Sequence, residues 1–185
     1  MDDAQARFTD LYGAHYRKIL GYLLRRIDST STAQDLAEDV FVVAWRKLDD
    51  VPHGKQAEYW LYGVAHKTLA AHSRKVSNRR RIVQRWFEGS GEPAPRLEDV
   101  VVRREDDRLV HEALGRLREP DRELIRLAYW DELPHATIAE LLGTTRGNID
   151  VRLHRAIHRL GKELDRSDHL LSEGPLVRTP KESEC

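Results

Sequence analysis

Several residue types and patterns are scarce in this 185-residue chain, and each scarcity excludes a class of protein. The one cysteine, Cys185, allows neither an intrachain disulfide nor a multi-cysteine zinc site, which suits a reducing cytoplasm. No apolar run approaches the roughly 18 residues of a membrane span, and the polar, acidic start MDDAQARF predicts no secretory signal. The formal net charge is zero, so overall basic character cannot argue for nucleic-acid binding.

Signals for catalysis and for metal binding are equally weak. The chain has neither a glycine-rich phosphate loop nor a nucleophile elbow. His154 and His158 lie four residues apart, as metal ligands can, but no glutamate follows in a zincin arrangement. We therefore expect no enzymatic activity, no cofactor and no metal site.

The composition favours an all-α protein of two small helical domains joined by a flexible acidic linker. Charged residues make up 34% and hydrophobic residues 40% of the chain, a balance typical of a helical globular protein. The patterns predict an N-terminal domain over 1–87 and, after a change to Gly, Pro and acidic residues, a linker over 88–105. A C-terminal domain is predicted over 106–165, and a disordered tail over 166–185.

Three helices are predicted in the N-terminal domain, at about 3–27, 32–48 and 56–87. The inner face of the second helix is predicted to consist of Ala33, Leu36, Ala37, Val40, Phe41, Ala44 and Leu48. Its outer face carries the acids Asp35, Glu38 and Asp39. These acids either stabilise the helix N-terminus through its dipole or form a contact surface for a basic partner, and spacing alone does not decide.

The third helix contains no acidic residue from position 59 onward. Its basic residues are Lys67, Arg74, Lys75, Arg79, Arg80, Arg81 and Arg85, and its aromatic residues are Tyr59, Trp60, Tyr62 and Trp86. This combination favours nucleic acid, because cations meet phosphates and unstacked bases can lie on aromatic rings. The alternatives are core packing for the aromatic residues, Trp60 above all, and a solvated basic helix end for Arg79, Arg80 and Arg81.

Residues 133–164 predict a helix-turn-helix, whose second helix enters a DNA major groove. Ile138, Leu141 and Leu142 form an apolar stripe, Gly143 interrupts it, and Thr144 or Thr145 can cap the second helix. The apolar side of the second helix is predicted to be Ile149, Leu153, Ala156, Ile157 and Leu160, and its polar side Arg146, Asn148, Arg152, Arg155 and Arg159. The alternative is a plain helical hairpin with a solvated basic face.

Three motifs in order give most of the chain a resemblance to the bacterial RNA polymerase sigma factors of the extracytoplasmic-function type. Residues 33–45 (AQDLAEDVFVVAW) resemble the helix that clamps the polymerase. Residues 60–67 (WLYGVAHK), with the basic stretch that follows, resemble the helix that opens the minus-ten promoter element. Residues 117–164 resemble the domain that reads the minus-thirty-five element, with VRLHRA at 151–156 where the family has serine-arginine-leucine-histidine-arginine-alanine.

The resemblance implies a role for each matching position and a set of partners. Core RNA polymerase, promoter DNA and an anti-sigma factor are the implied partners. Polymerase binding is implied for Asp35, Glu38 and Asp39. Binding of the melted minus-ten element is implied for the loop at 49–55 and for Tyr59, Tyr62, His66, Lys67, Arg74, Lys75, Arg79 and Arg80. Binding of the upstream, minus-thirty-five element is implied for Thr145, Arg146, Asn148, Arg152 and Arg155. The family commonly has arginine, then asparagine or arginine, at His66 and Lys67, and often lysine at Asp150.

A different class of transcription regulator, with a helical sensor domain and a C-terminal helix-turn-helix, is the alternative. Such a regulator would need neither the polymerase-clamping motif nor the acid-free third helix. Binding to core polymerase without DNA separates the two interpretations.

Overall fold

The computed structural model describes the backbone of residues 3–86 and 105–172, and the side chains of residues 3–78 and 109–166. Every regular element in these ranges is helical, which confirms the predicted all-α class. Backbone contacts divide the chain after residue 99 into two compact units. The predicted linker lies outside the described residues except at its last position, Glu105, where a helix begins. Within the described ranges, every helix is too short or too polar to cross a bilayer.

The N-terminal unit contains three helices that pack on one another: α1 (Asp3–Leu24), α2 (Thr30–Arg46) and α3 (Lys55–Trp86). A 3₁₀ turn, Leu48–Asp50, follows α2. Helix α2 begins where it does because Ser29 is extended and its Oγ accepts a hydrogen bond from the Thr32 N–H at 3.2 Å. The predicted boundaries of these helices are within three residues of those observed.

The core of the N-terminal unit confirms the predicted inner face of α2, since all seven residues assigned to that face are buried. Helical spacing predicts that the buried stripe of α3 consists of Trp60, Leu61, Val64, Ala65, Thr68, Leu69 and His72, but the observed stripe is displaced by about one residue. Leu61 and Ala65 are buried as expected, but Trp60 and Val64 are only half-buried, and Tyr62 is buried instead. The ring of Tyr62 meets that of Tyr22 edge-on at 5.5 Å, and this contact from α1 sets which side of α3 faces inward.

The C-terminal unit contains α4 (Glu105–Arg116), α5 (Glu119–Ile125), a π-helical turn (Arg126–Trp130), α6 (His135–Leu141) and α7 (Arg146–Ser172). Helix α7 contacts α4, α5 and α6, so it is the element around which the unit packs. It continues to Ser172, which places the predicted start of the tail at 166 too early. The guanidinium of Arg122 donates to the carbonyls of Leu114, Gly115 and Leu117 at 2.9, 2.8 and 3.0 Å and so fastens the end of α4 to α5.

The core of this unit contains two buried acids, Asp121 and Asp131, as well as apolar side chains. The buried apolar residues are Ala113, Leu114, Leu117, Leu124, Ile125, Leu127, Leu133, Ile138, Ala139, Ile149, Leu153 and Ala156. Asp121, which is 7% exposed, accepts from Arg159 Nη1 at 2.7 Å and from Arg118 Nη2 at 3.3 Å. A buried carboxylate requires such partners, because an isolated charge is costly to remove from water. Ile157 was expected on the buried side of α7 but is 39% exposed.

Candidate nucleic-acid and protein-binding surfaces

Helices α6 and α7 form the predicted helix-turn-helix, and the turn has the predicted geometry. Gly143 has a φ of 62°, in the left-handed region where glycine is strongly favoured. Thr145 caps α7, since its Oγ1 accepts from the Asn148 N–H at 3.3 Å. Ile149 and Leu153 anchor α7 against the core, leaving the opposite side of its N-terminal half in solvent.

The five residues predicted to bind the upstream element lie together on the first three turns of α7 or at its cap. Thr145, Arg146, Asn148 and Arg155 are exposed, whereas Arg152 is half-buried. Arginine can donate two parallel hydrogen bonds to guanine and asparagine can pair with adenine, so this surface has the chemistry to read base edges.

Two charged residues near this surface have partners within the protein. The Asp150 carboxylate is hydrogen-bonded to His135 Nδ1, which links the first turn of α7 to the start of α6. A carboxylate on the reading helix can accept from a cytosine amino group, but one oxygen of Asp150 is already used by His135. Arg159 was expected on the exposed basic side, but it is the residue that pairs with buried Asp121. Sequence periodicity could not reveal either contact, because both partners lie on other helices.

A second cationic surface lies on α3. Lys67, Arg74 and Lys75 are exposed, and Lys67 and Arg74 share one side of the helix because they are seven residues apart. The single acid of α3, Glu58, is 9% exposed and its Oε2 accepts from Lys18 Nζ at 2.8 Å, so it does not neutralise this surface. The side chains of Arg79 and Arg80, predicted to extend the surface, lie outside the described residues.

The aromatic residues predicted to bind melted DNA differ in their accessibility. Tyr59 is half-buried, while Tyr62 is 2% exposed and packs against Tyr22. His66 is half-buried and its Nδ1 lies 3.3 Å from the Tyr22 hydroxyl. For Tyr62 this burial favours the alternative of core packing over base stacking.

Near this helix, the loop at 49–55 borders a small cavity of about 260 Å³. Gly54 in the loop has a φ of 62°, and Arg7 Nη2 donates to the Val51 carbonyl at 2.6 Å, which holds the loop against α1. His15 lines the cavity, and its buried Nδ1 has no hydrogen-bond partner. Burial lowers the pKa of His15 below its usual 6.5, although nearby Glu58 acts in the opposite direction. His15 is therefore mainly neutral at pH 7.

The acids of α2 form an exposed surface on the opposite side of that helix from the core. Asp35, Glu38 and Asp39 are all exposed. They lie in the second and third turns of α2, and its first turn contains no acidic residue. The helix dipole acts mainly on the first turn, so contact with a basic partner is the better account of these acids.

Beside these acids runs an apolar groove that sequence reasoning did not find. The groove encloses about 700 Å³ between α1 and α2 and is lined mainly by Phe8, Tyr12, Phe41, Val42 and Trp45, with Glu38 at its edge. Val42 is 46% and Trp45 48% exposed, although the rings of Phe8 and Trp45 touch edge-on at 5.0 Å. The four-residue spacings on both helices, Phe8 to Tyr12 and Phe41 to Trp45, are the signal that could have predicted it.

Among the side chains that the structure describes, no group of three or more His, Cys, Asp or Glu residues is arranged to hold a metal ion. His154 and His158 are both exposed on α7.

The helix-turn-helix has a polar, partly cationic reading surface, and the chain has a second cationic helix. Together these features define a DNA-binding protein.

Comparison with known proteins gives the family. Residues 11–81 match the family model of sigma-70 region 2, and residues 107–160 match that of sigma-70 region 4. The chain is 30% identical over 166 residues to the RNA polymerase sigma factor YlaC of Bacillus subtilis, covering 85% of this chain and 92% of that protein. It is 25% identical over 165 residues to the ECF RNA polymerase sigma factor SigK of Mycobacterium tuberculosis, covering 87% of each.

Solved structures show the same fold. The sigma factor RpoE of Bartonella quintana, solved with the anti-sigma factor NepR, has a TM-score of 0.65 at 22% identity, over 85% of this chain and 96% of that one. CnrH, solved with the cytosolic domain of CnrY, has a TM-score of 0.58 at 20% identity, over 88% and 90%. The chain belongs to the sigma-70 family of RNA polymerase sigma factors and is of the extracytoplasmic-function type.

Proposed function

We propose that the N-terminal unit binds core RNA polymerase through the acids and the groove of α2. Asp35, Glu38 and Asp39 are exposed on one helix and would meet basic side chains, which favours rapid and specific association. The adjoining groove, with Trp45 half-exposed, offers an apolar site next to the charged one. A partner surface that carries both basic and apolar side chains fits this combination.

The exposed cations of α3 bind the melted minus-ten element. Lys67, Arg74 and Lys75 contact phosphates. Tyr59 is half-buried, so part of its ring is accessible to stack on an unpaired base. The loop at 49–55 holds the same strand. Tyr62 supports this surface from the core rather than touching DNA.

The first turns of α7 read the minus-thirty-five element. Arg146, Asn148 and Arg155 project into solvent from the helix that a helix-turn-helix places in the major groove. Arg152 is half-buried, so it reaches the duplex from the side of the helix. This exposed, capped reading helix is the observation that carries the proposal.

The protein works in the cytoplasm with the polymerase and supplies promoter specificity, while the polymerase carries out the chemistry. An anti-sigma factor holds it inactive until a signal releases it. The solved structures of RpoE with NepR and of CnrH with the cytosolic domain of CnrY support this part of the proposal.

In vitro transcription with core polymerase tests the function directly. We expect the full chain to associate with core enzyme in the absence of DNA and to direct initiation at defined sites on genomic templates. Absence of both activities would refute the assignment, whereas DNA binding without core association would favour the alternative class of transcription regulator.

A charge-matched pair of triple variants tests the polymerase surface. Neutralising Asp35, Glu38 and Asp39 to the corresponding amides should slow association with core enzyme and weaken it at least about tenfold. The control neutralises Asp10, Asp28 and Glu140, which are exposed elsewhere, and should bind core enzyme nearly as the unmodified chain does. Equal effects of the two triples would mean that net charge, not this surface, governs association.

A further inference from the structure

The centre of the solvent-facing side of α7 is apolar, although both edges are polar. Ile149 and Leu153 point into the core, and Val151 lies two residues from each along the chain, so it points about 160° away from each of them around the helix. Val151 is 51% exposed. The side chain at the centre of the solvent-facing side is therefore an isopropyl group, and it was absent from the predicted contact set.

One turn before Val151, on the same side of the helix, the chain has a glycine. Gly147 lies in the first turn of α7, and a Cβ added to it would meet no heavy atom within 4 Å. Its φ is not in the left-handed region, so neither packing within the described residues nor backbone conformation requires glycine. Glycine within a helix costs up to about 1 kcal/mol relative to alanine, and a close approach of another molecule would explain it.

Polar side chains border this apolar strip on both sides. Asn148 and Arg155 lie along one edge, and His154 and Asp150 along the other. Asp150 is held by His135, which keeps its charge at the edge of the surface. Gly147 and Val151 thus form a narrow apolar strip, called the notch below, between groups that can hydrogen-bond to DNA.

We propose that Val151 reads the C5-methyl group of a thymine in the upstream promoter element, and that Gly147 lets that base pair approach the backbone of α7. The thymine methyl is the apolar feature of the major-groove base edges, and an aliphatic side chain is the group that recognises it. The neighbouring Asn148 and Arg155 then read polar edges of adjacent base pairs. This inference rests on the proposed function of α7 as the reading helix.

The test uses full-length protein bound to core polymerase. The upstream element is first defined by selection from duplexes randomised across it, and each selected thymine is then replaced singly by uracil, which lacks only the methyl group. We expect one position at which uracil weakens binding about three- to tenfold, the effect of losing one buried methyl contact. At that position 5-methylcytosine should bind better than cytosine, since it restores the methyl group.

Variants of the notch assign the effect to the two residues. Val151→Ser should bind thymine and uracil equally at that position, while Val151→Thr, which keeps one methyl group, should retain part of the preference. Gly147→Ala should weaken binding to both duplexes. Val151 is exposed, so its substitutions should leave the melting temperature nearly unchanged, and this is checked in parallel.

The possible failures are distinguishable. A holoenzyme that selects a defined element but binds thymine and uracil equally at every position, or whose thymine preference persists in Val151→Ser, overturns the inference and leaves the proposed function intact. Failure to associate with core enzyme or to select any element overturns the proposed function itself.

Discussion

Arg155 and Arg159 lie one turn apart on α7, and the structure gives them different roles. Arg155 is exposed and makes no ion pair with any described residue, whereas Arg159 Nη1 lies 2.7 Å from the carboxylate of Asp121. We expect Arg159→Ala to destabilise the C-terminal unit without altering the salt dependence of DNA binding. We expect Arg155→Ala to do the reverse.

The magnitudes follow from the environment of each guanidinium. The Asp121 side chain is 10% exposed, and removing a charge-assisted bond to such a carboxylate costs about 1.5–3 kcal/mol. Arg118 remains at 3.3 Å, so the loss should fall near the lower end of that range. Each phosphate contact adds about 0.9 to the slope of the logarithm of the DNA-binding constant against the logarithm of salt concentration. If Arg155 contacts one phosphate, Arg155→Ala should reduce the slope by that amount.

Two measurements on the full chain separate these effects. Hydrogen exchange of the α5 and α7 amides reports the stability of the C-terminal unit alone, which is necessary because two units need not unfold together. Anisotropy of a labelled duplex, followed between about 50 and 200 mM salt, gives the slope. Asp121→Asn is the control, since it should destabilise the unit while leaving every cation in place.

The reasoning would be refuted by one combination of results. If Arg159→Ala reduced the slope by about 0.9 and left amide exchange unchanged, Arg159 would be a phosphate contact and its pairing with Asp121 would contribute nothing. If both variants changed both quantities equally, the two positions would not have separate roles.

Three further predictions concern turns, caps and pH. Gly143→Ala should destabilise the C-terminal unit by about 1 kcal/mol in urea titrations, because Gly143 has a positive φ. The control, Gly161→Ala within α7, should not destabilise it, because a Cβ there would meet no atom within 4 Å. Ser29→Ala should cost about 1 kcal/mol and speed amide exchange at the start of α2. Burial lowers the pKa of His15, so the unfolded chain binds this proton more tightly than the folded chain does. The stability of the N-terminal unit should therefore be full above pH 6.5 and fall below it. His15→Gln should reduce that fall.

Features set by local spacing were predictable from the sequence. The helices, the inner face of α2, the glycine turn at Gly143 and a cap at Thr144 or Thr145 each depend on residues within a turn or two of one another, and the structure shows Thr145 as the cap. Hydrophobic periodicity and capping chemistry therefore suffice to place them.

Features set by contacts between helices were not predictable in this way. The stripe of α3 is displaced because Tyr22, forty residues earlier, packs on Tyr62. Arg159 had the same periodicity as a solvent-facing cation, and only the position of Asp121 on α5 distinguishes it. The groove between α1 and α2 required both helices to be placed side by side. Burial and pairing of this kind depend on tertiary packing, on which spacing along one helix carries little information.

The fastening of α4 to α5 by Arg122 has a consequence for the order of folding. Its three hydrogen bonds join positions separated by only five to eight residues, whereas the Arg159 pair joins positions 38 apart. Closing a short loop sacrifices little chain entropy, so this corner can form early and serve as a nucleus. We infer that the reading helix docks afterwards onto a corner that is already assembled.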